Sequence, residues 1–261
     1  MNDCRASGCS NPMFESTLPF GEPDLMRASA FQRYLDESAR NGEADSMASR
    51  LSTLSPSLLL DLMRFEQDGQ SSGVIEVLAA CIRHARKLLI HLQVQDRVVP
   101  LTVFPLEQLL HCPMPIAQFM ALPLGELSVL QVEPALLRPP GDRVRAMVGE
   151  PAHYSALGPA LWELALRGPR AELLPEIAGQ AAYRISPGLN LRRLDLSGTL
   201  AEAVARLKRD TSNLRDMAQW PGFERERATR LLNGLYLQGG LMVSRTHPAA
   251  TNEGWAAGRS Q

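Results

Sequence analysis

The stretch "NLRDMAQWPGFERERATRLLNGLYLQGGLMVSR", residues 213–245, decides how the C-terminal part of this chain folds. It predicts a short helix, a break at Trp220-Pro221-Gly222, a longer helix over residues 224–238 and then a strand. A further helix is predicted over residues 200–208, just upstream. The longer helix carries apolar residues at the spacing of one buried face: Ala228, Leu231, Leu232 and Leu235. Together these elements predict a winged-helix-like three-helix unit.

Winged-helix and helix-turn-helix units often bind DNA, so the exposed face of helix 224–238 matters. Residues 190–247 carry ten Arg and Lys against six Asp and Glu, which permits contact with DNA without favouring it. Helical periodicity places Leu237 opposite the buried face, where an apolar residue suits a protein interface. The candidate residues for contact with a partner protein or with nucleic acid are Arg225, Arg227, Arg230, Asn233, Leu237 and Arg245.

An α+β domain is predicted over residues 51–137. The segment "GVIEVLAACIRHAR" fits either a helix throughout or a strand that leads into a helix. Apolar residues then alternate with others over residues 88–94 and 99–103, which predicts an antiparallel hairpin with one strongly apolar face. Pro100 indicates that the second strand lies at an edge of the sheet.

The remainder of this domain is predicted from its prolines and from one more alternating stretch. Pro105 and Pro115 are each expected to open a short helix, in "PLEQLLH" and "PIAQFMAL". "ELSVLQVEP" is expected to form another strand. The fold class that follows is α+β, with an N-terminal α+β domain and a mostly helical C-terminal domain.

Composition and linker signals divide the rest of the chain. Residues 1–50 are predicted to be a flexible tail, with helical spacing only in "LMRASAFQRYLDES". Residues 138–190 are predicted to be a helical connector that includes "GPALWELALRG" and "PRAELLPEIAG". Residues 191–247 form the winged-helix-like unit, and residues 248–261 a second flexible tail.

Composition excludes several classes of function. The 261 residues include 27 Lys and Arg against 28 Asp and Glu, so the chain lacks the basic excess typical of proteins that bind nucleic acid or anionic lipid. It has neither a long uninterrupted apolar run nor the pattern of a signal peptide. We therefore expect a cytoplasmic protein with no membrane contact.

Catalytic and cofactor motifs are not found in the sequence. The candidate metal ligands are Cys81, His84, His91, His111 and Cys112, but their spacing fits no familiar zinc site. The chain has no G-x-S-x-G, no P-loop and no G-x-G-x-x-G after a strand. We assign no catalytic, cofactor-binding or metal-binding residue and expect that the protein is not an enzyme.

The order of elements resembles that of the PATAN type of bacterial signalling domain. The features are a helix, "SSGVIEV", a strand pair around a polar turn, two short helices and "LPLGELSVLQVEP". In that family a winged-helix-like unit often follows, with a pattern similar to "LLNGLYLQGGL". The resemblance covers about residues 51–245 and supplies no catalytic residues.

This resemblance implies a non-enzymatic adaptor that acts by protein–protein interaction in bacterial signalling. The partners it implies are response regulators or small Ras-like GTPases. The alternative, taken from the helix-turn-helix-like outline, is a DNA-binding transcriptional regulator that uses helix 224–238. The oligomeric state is open on either hypothesis.

Overall fold

The structure, a computed structural model, describes residues 25–40, 55–67 and 73–253 and has an α+β fold. Its helices, numbered in chain order, are α1 (Ala28–Arg40), α2 (Pro56–Gln67), α3 (Val74–Arg83), α4 (Ile116–Ala121), α5 (Leu157–Arg167), α6 (Thr199–Arg209), α7 (Leu214–Met217) and α8 (Arg225–Leu237).

The strands form two antiparallel sheets. The first sheet has the order β4-β1-β2-β3-β5 and the second has the order β7-β6-β8. Their bounds are β1 (Leu88–Val94), β2 (Arg97–Phe104), β3 (Leu109–His111), β4 (Ser128–Pro134), β5 (Tyr154–Ala156), β6 (Gly179–Ile185), β7 (Leu241–Ser244) and β8 (Thr251–Glu253).

The β1–β2 hairpin has the predicted pairing. Leu88 faces Val103, and the register continues without a break to Val94 and Arg97. The connection is a two-residue turn in which Gln95 adopts a φ of 53°, the left-handed conformation that tight hairpin turns require. The alternate residues of β1 that face the core are all buried, as the alternating pattern predicts: Leu88, Ile90, Leu92 and Val94.

Pro100 lies in a strand that is central in the sheet, so the expectation of an edge strand is wrong for β2 as a whole. It is correct locally, because β3 pairs only with residues 102–104 of β2. The amide of Val98 points away from β1 and donates to the Met26 carbonyl at 2.8 Å. The backbone nitrogen of Pro100 faces the same way as that of Val98. The N–H that proline lacks would therefore not have donated to β1.

Two short helices are absent where they were predicted. The segment after Pro105 is a turn in which Gln108 has a φ of 54°, and residues 109–111 then pair with β2 as β3. Pro105 favours the first turn of a helix, but residues 109–111 pair with the edge of β2 instead. Residues 170–178 likewise form turns, with Arg170 donating to the backbone carbonyls of Glu172 and Leu173. The ambiguous segment at residues 74–83 is entirely helical.

The first 50 residues are not a tail throughout. Residues 28–40 form α1, and Phe31 packs with Ala28 and Val98 against the outer face of the first sheet. The segment before α1 adds to the free edge of β2, since Arg27 forms an antiparallel bridge with Arg97. The remaining residues predicted as N-terminal tail, 1–24 and 41–50, lie outside the described residues.

The predicted helical connector and C-terminal tail both contribute strands. Residues 154–156 form β5 at the edge of the first sheet, and residues 179–185 form β6, the centre of the second. Residues 251–253 pair with β6 as β8, so the chain is ordered past residue 247. The expectation of a helical connector is therefore correct only for α5, and residues 254–261 lie outside the described part.

One apolar core runs through both sheets. It includes Leu101 from the first sheet, Tyr183 from the second and the predicted buried face of α8. α8 packs closely on α5: a Cβ placed on Gly234 would lie 3.0 Å from the Trp162 ring. The four residues predicted to form the buried face of α8 are confirmed as fully buried: Ala228, Leu231, Leu232 and Leu235.

Candidate functional site

The middle of α8 is enclosed by the rest of the protein. Asn233 is 1% exposed and Leu237 is 5% exposed, so the expectation that both lie on an open face is wrong. From residue 228 to residue 237 only Arg230 and Tyr236 are even half-exposed. The prediction assumed one buried face, whereas α8 packs against α5 and also against the turns at residues 172–174.

This burial bears on the DNA alternative. A recognition helix inserts an exposed polar face into the major groove. α8 offers solvent only its first turn, where Arg225, Glu226 and Arg227 are exposed. The helix is thus placed as a core element of the fold rather than as a surface element.

Asn233 binds the protein's own backbone. Its Oδ1 accepts a hydrogen bond from the Leu174 amide at 2.9 Å, and its Nδ2 donates to the Glu172 carbonyl at 2.9 Å. A buried amide side chain that satisfies one backbone donor and one acceptor fixes the turn that contains them.

Arg230 and Arg245 have the same role as Asn233. Arg230 Nη1 donates to the carbonyls of Leu166 and Gly168, at 3.0 and 2.6 Å. Arg245 donates to three carbonyls of the next segment, those of Glu176, Ala178 and Gln180. Three of the six predicted contact residues therefore hold residues 166–180 in place.

Arg225, Arg227 and Arg245 are the exposed residues among the six, and Arg245 is already bound to backbone carbonyls. Arg227 donates to the Gly222 carbonyl at 3.1 Å and lies over the Phe223 ring, 5.3 Å from its centroid. On the neighbouring helix Arg206 stacks on Trp220 at 4.6 Å. These stacked arginines cover aromatic rings that are themselves buried, so no ring is presented to a ligand.

A buried ion pair links the two halves of the fold. Glu76 on α3 is 5% exposed and pairs with Arg170, which follows α5. Burial lowers the pKa of Arg170, while the nearby carboxylates of Glu172 and Glu176 raise it. An arginine keeps its charge under such shifts.

A second group of charges lies on the same boundary. Arg83 bridges Asp61 at 3.0 Å and Glu176 at 2.5 Å, and His84 Nε2 lies 2.8 Å from the Asp61 carboxylate. Burial raises the pKa of Tyr236, and the charge of Glu176 adds to this rise. The His84–Asp61 geometry is that of an oriented base, but Arg83 holds the same Asp61 oxygen, so the group clamps α2 to α3.

The two cysteines among the described residues, Cys81 and Cys112, are poorly suited to nucleophilic chemistry. Cys81 is fully buried and its thiol donates to the Arg86 carbonyl at 2.9 Å. Burial raises the pKa of Cys81 to about 12 and that of Cys112 to about 11. A thiol with such a pKa carries almost no thiolate near neutral pH.

Two histidines lie on the outer face of the first sheet. His91 lies beneath Phe31 of α1, with ring centroids 4.7 Å apart, and its Nδ1 is 4.0 Å from Glu133. His111 lies 4.9 Å from the Tyr154 ring. Burial lowers the pKa of both, and the charge of His153 lowers that of His111 further. Within the three described ranges no three His, Cys, Asp or Glu side chains could hold a metal ion together.

Three large apolar side chains are exposed in the segments that leave one end of the first sheet, where β2 and β4 both end beside the start of β1. We call this part of the protein the end surface and define it by Leu106, Leu136 and Val144, which are 73%, 57% and 46% exposed. Lys87, which precedes β1, contacts the sequence neighbours of two of them, Glu107 and Ala135. The Lys87 carbonyl accepts from Ala135, and its Nζ lies 3.0 Å from Glu107.

Asp142 fixes the backbone beside Val144. The pKa of Asp142 lies below its ordinary value, chiefly because the Val144 amide donates to its carboxylate at 3.0 Å. The positive charges of Arg138 and Lys87 act in the same direction. The loop after β4 begins beside β1, because the Ala135 amide donates to the Lys87 carbonyl at 3.3 Å.

Sequence reasoning missed the end surface because "LLRPPGDR" was interpreted only as a linker. The available signal was a pair of apolar residues set among arginines in a proline-rich loop. Such residues in a linker are ordinarily solvent-exposed, and their clustering depends on which strand ends meet.

Across the residues that the structure describes, no helix is both long and apolar enough to cross a membrane. Comparisons with family models, with curated proteins and with solved structures found no match to this chain.

Proposed function

We propose that this chain is a non-enzymatic regulatory adaptor that works in the cytoplasm by binding another protein. The observation that carries the proposal is the end surface, where Leu106, Leu136 and Val144 are each exposed in the segments after β2 and β4, which end at the same end of the first sheet. Apolar side chains grouped on a surface favour a protein interface, because binding removes them from water. The PATAN resemblance points to bacterial signalling and to a response regulator or a Ras-like GTPase as the partner.

The C-terminal unit is proposed to be winged-helix-like, with α6, α7 and α8 followed by β7 and β8. Its support is the order of these elements and the burial of α8 against α7. In this proposal the unit packs against the first domain and stabilises it. DNA recognition through α8 is disfavoured, because the face that would enter a groove is covered.

The experiment is affinity capture from the native host with the full chain as bait. Wild type is compared with a Leu136→Asp, Val144→Asp variant and with Leu60→Asp, a matched control whose side chain is 68% exposed on α2. We expect one reproducible partner that the double variant loses and the control keeps. Purified receiver domains and Ras-like GTPases encoded nearby in the genome are then tested directly.

Two results would contradict the adaptor proposal. One is a partner whose capture does not depend on Leu136 or Val144. The other is a defined duplex site in a mobility-shift assay that is lost when Arg225 and Arg227 are replaced by alanine, which would favour the transcriptional regulator.

A further inference from the structure

The end surface is bordered by positive charge. The loop over residues 136–148 contains Arg138, Arg143 and Arg145 against one acidic residue, Asp142. Arg138 is engaged with Asp142 at 3.6 Å, which neutralises one of the three. The sign of the remaining charge therefore selects an anionic partner.

Arg143 and Arg145 are the free charges of this loop. Both are exposed, and neither side chain forms an ion pair or hydrogen bond with another residue in the described ranges. They flank Val144 in the sequence, so an exposed apolar residue has an exposed arginine on each side along the chain. A guanidinium is suited to a carboxylate, which it binds through two parallel hydrogen bonds.

We propose that the end surface binds an acidic, leucine-bearing segment of the partner protein. Carboxylates of that segment pair with Arg143 and Arg145, and its apolar side chains cover Val144, Leu136 and Leu106. This inference rests on the proposed adaptor function and adds the chemistry of the partner to it.

The number of unpaired arginines and the aliphatic character of the apolar residues favour an acidic protein segment over a lipid surface or a single-stranded nucleic acid. A lipid surface is held by clusters of roughly four to eight basic residues. Here two arginines are free, and Lys87 and Arg138 are paired with Glu107 and Asp142. Single-stranded nucleic acid is held by exposed aromatic rings, and the three apolar residues of the end surface are aliphatic.

The test uses a synthetic helical peptide with leucine on one face and glutamate on the other. It is titrated against the full chain by fluorescence anisotropy, beside the same peptide with lysine in place of glutamate. We expect the glutamate peptide to bind and the Arg143→Glu, Arg145→Glu variant to weaken its binding at least about tenfold. Raising the ionic strength from about 0.05 M to about 0.5 M should weaken the wild-type binding, because added salt screens the charges.

The matched control is Lys208→Glu, Arg209→Glu, which reverses two exposed basic residues on α6. It should change the affinity by less than about twofold, as remote surface charges do. Equal binding of the lysine peptide, or an equal loss in the control, would overturn the inference. So would binding to phosphatidylserine-containing vesicles through Arg143 and Arg145 with no binding of the glutamate peptide.

Failure of this inference is distinguishable from failure of the proposed function. If a native partner is captured through Leu136 and Val144 but the glutamate peptide does not bind, the adaptor function stands and the acidic chemistry falls. If the glutamate peptide binds through Arg143 and Arg145 but no native partner depends on the end surface, the acidic chemistry stands and the adaptor function falls.

Discussion

At the scale of single residues, four of the six side chains predicted from the sequence as partner contacts instead stabilise the fold. Asn233, Arg230 and Arg245 donate to carbonyls of the protein's own backbone, and Leu237 is in the core. In the sequence, a polar residue of a helix that faces solvent cannot be distinguished from one that forms hydrogen bonds with an adjacent turn. The effect of substituting these residues on the free energy of unfolding should therefore be measured before their effect on binding.

Asn233→Ala should lower the free energy of unfolding by about 1–3 kcal/mol, because it leaves the buried Leu174 amide without an acceptor and removes one of the two donors to the Glu172 carbonyl. Urea denaturation measures the change. The control is Asn252→Ala, in which the same chemical change is made at an exposed site. Similar losses at the two positions would show that the Asn233 hydrogen bonds contribute little.

The buried histidines should make stability depend on pH. Burial lowers the pKa of His91 and His111 in the folded state, whereas the unfolded chain has the ordinary value of about 6.5. As pH falls through about 6.5 the unfolded chain takes up protons that the folded one does not, so the free energy of unfolding falls. Above that pH their contribution is fully present.

Urea denaturation between about pH 7.5 and about pH 5.5 should show this fall. A His91→Gln, His111→Gln variant should show a shallower one, since glutamine does not titrate. If the two slopes are the same, other groups control the pH dependence.

At the scale of elements, α1 covers part of the outer face of the first sheet, and the sequence does not identify this contact. Its periodicity was visible in "LMRASAFQRYLDES", but a pattern alone does not identify the face that receives it. The receiving face is built by Val98 and by the free edge of β2, where Arg97 Nη1 donates to the Leu25 carbonyl at 2.8 Å.

Phe31→Ala should therefore lower the free energy of unfolding by about 3 kcal/mol, at the lower end for a buried phenylalanine because its apolar cluster is small. Tyr34→Ala, three residues on and 54% exposed, should change it by less than about 0.5 kcal/mol. Both are measured by thermal and urea unfolding of the full chain. No loss for Phe31→Ala would mean that α1 does not stabilise the sheet.

The elements that the sequence predicted well are those whose signal is local and strong. The β1–β2 hairpin and α8 each carry a long apolar period, and both are present with their expected buried residues. The segments after Pro105 and Gly168 were mispredicted because their conformations are set by distant partners. Strand β2 captures the first, and Arg230 and Asn233 hold the second.

At the scale of the whole molecule, the two predicted domains share one core and a buried ion pair. Whether separate predicted units share a core is not visible in the sequence, because it depends on contacts between residues far apart. Glu76 and Arg170 are 94 positions apart, and neither position is unusual in its local pattern. The end surface was missed for the same reason.

Arg170→Leu should lower the free energy of unfolding by about 3–5 kcal/mol, because it leaves the Glu76 carboxylate buried without a cation. Adding Glu76→Leu to that variant should restore part of the loss. The control is Arg167→Leu, which breaks the exposed pair with Glu163 and should cost less than about 1 kcal/mol. A double variant no more stable than Arg170→Leu alone would show that the buried charge is not the cause.

The packing of α8 on α5 has a consequence for synthesis on the ribosome. The Trp162 face of α5 is covered only when Gly234 and its neighbours arrive, about 70 residues later in the chain. At a translation rate of roughly 5–20 residues per second that interval lasts on the order of 4–14 seconds. During this time the nascent chain presents a bare tryptophan and its leucine neighbours, which is the kind of surface that ribosome-associated chaperones hold until the covering helix emerges.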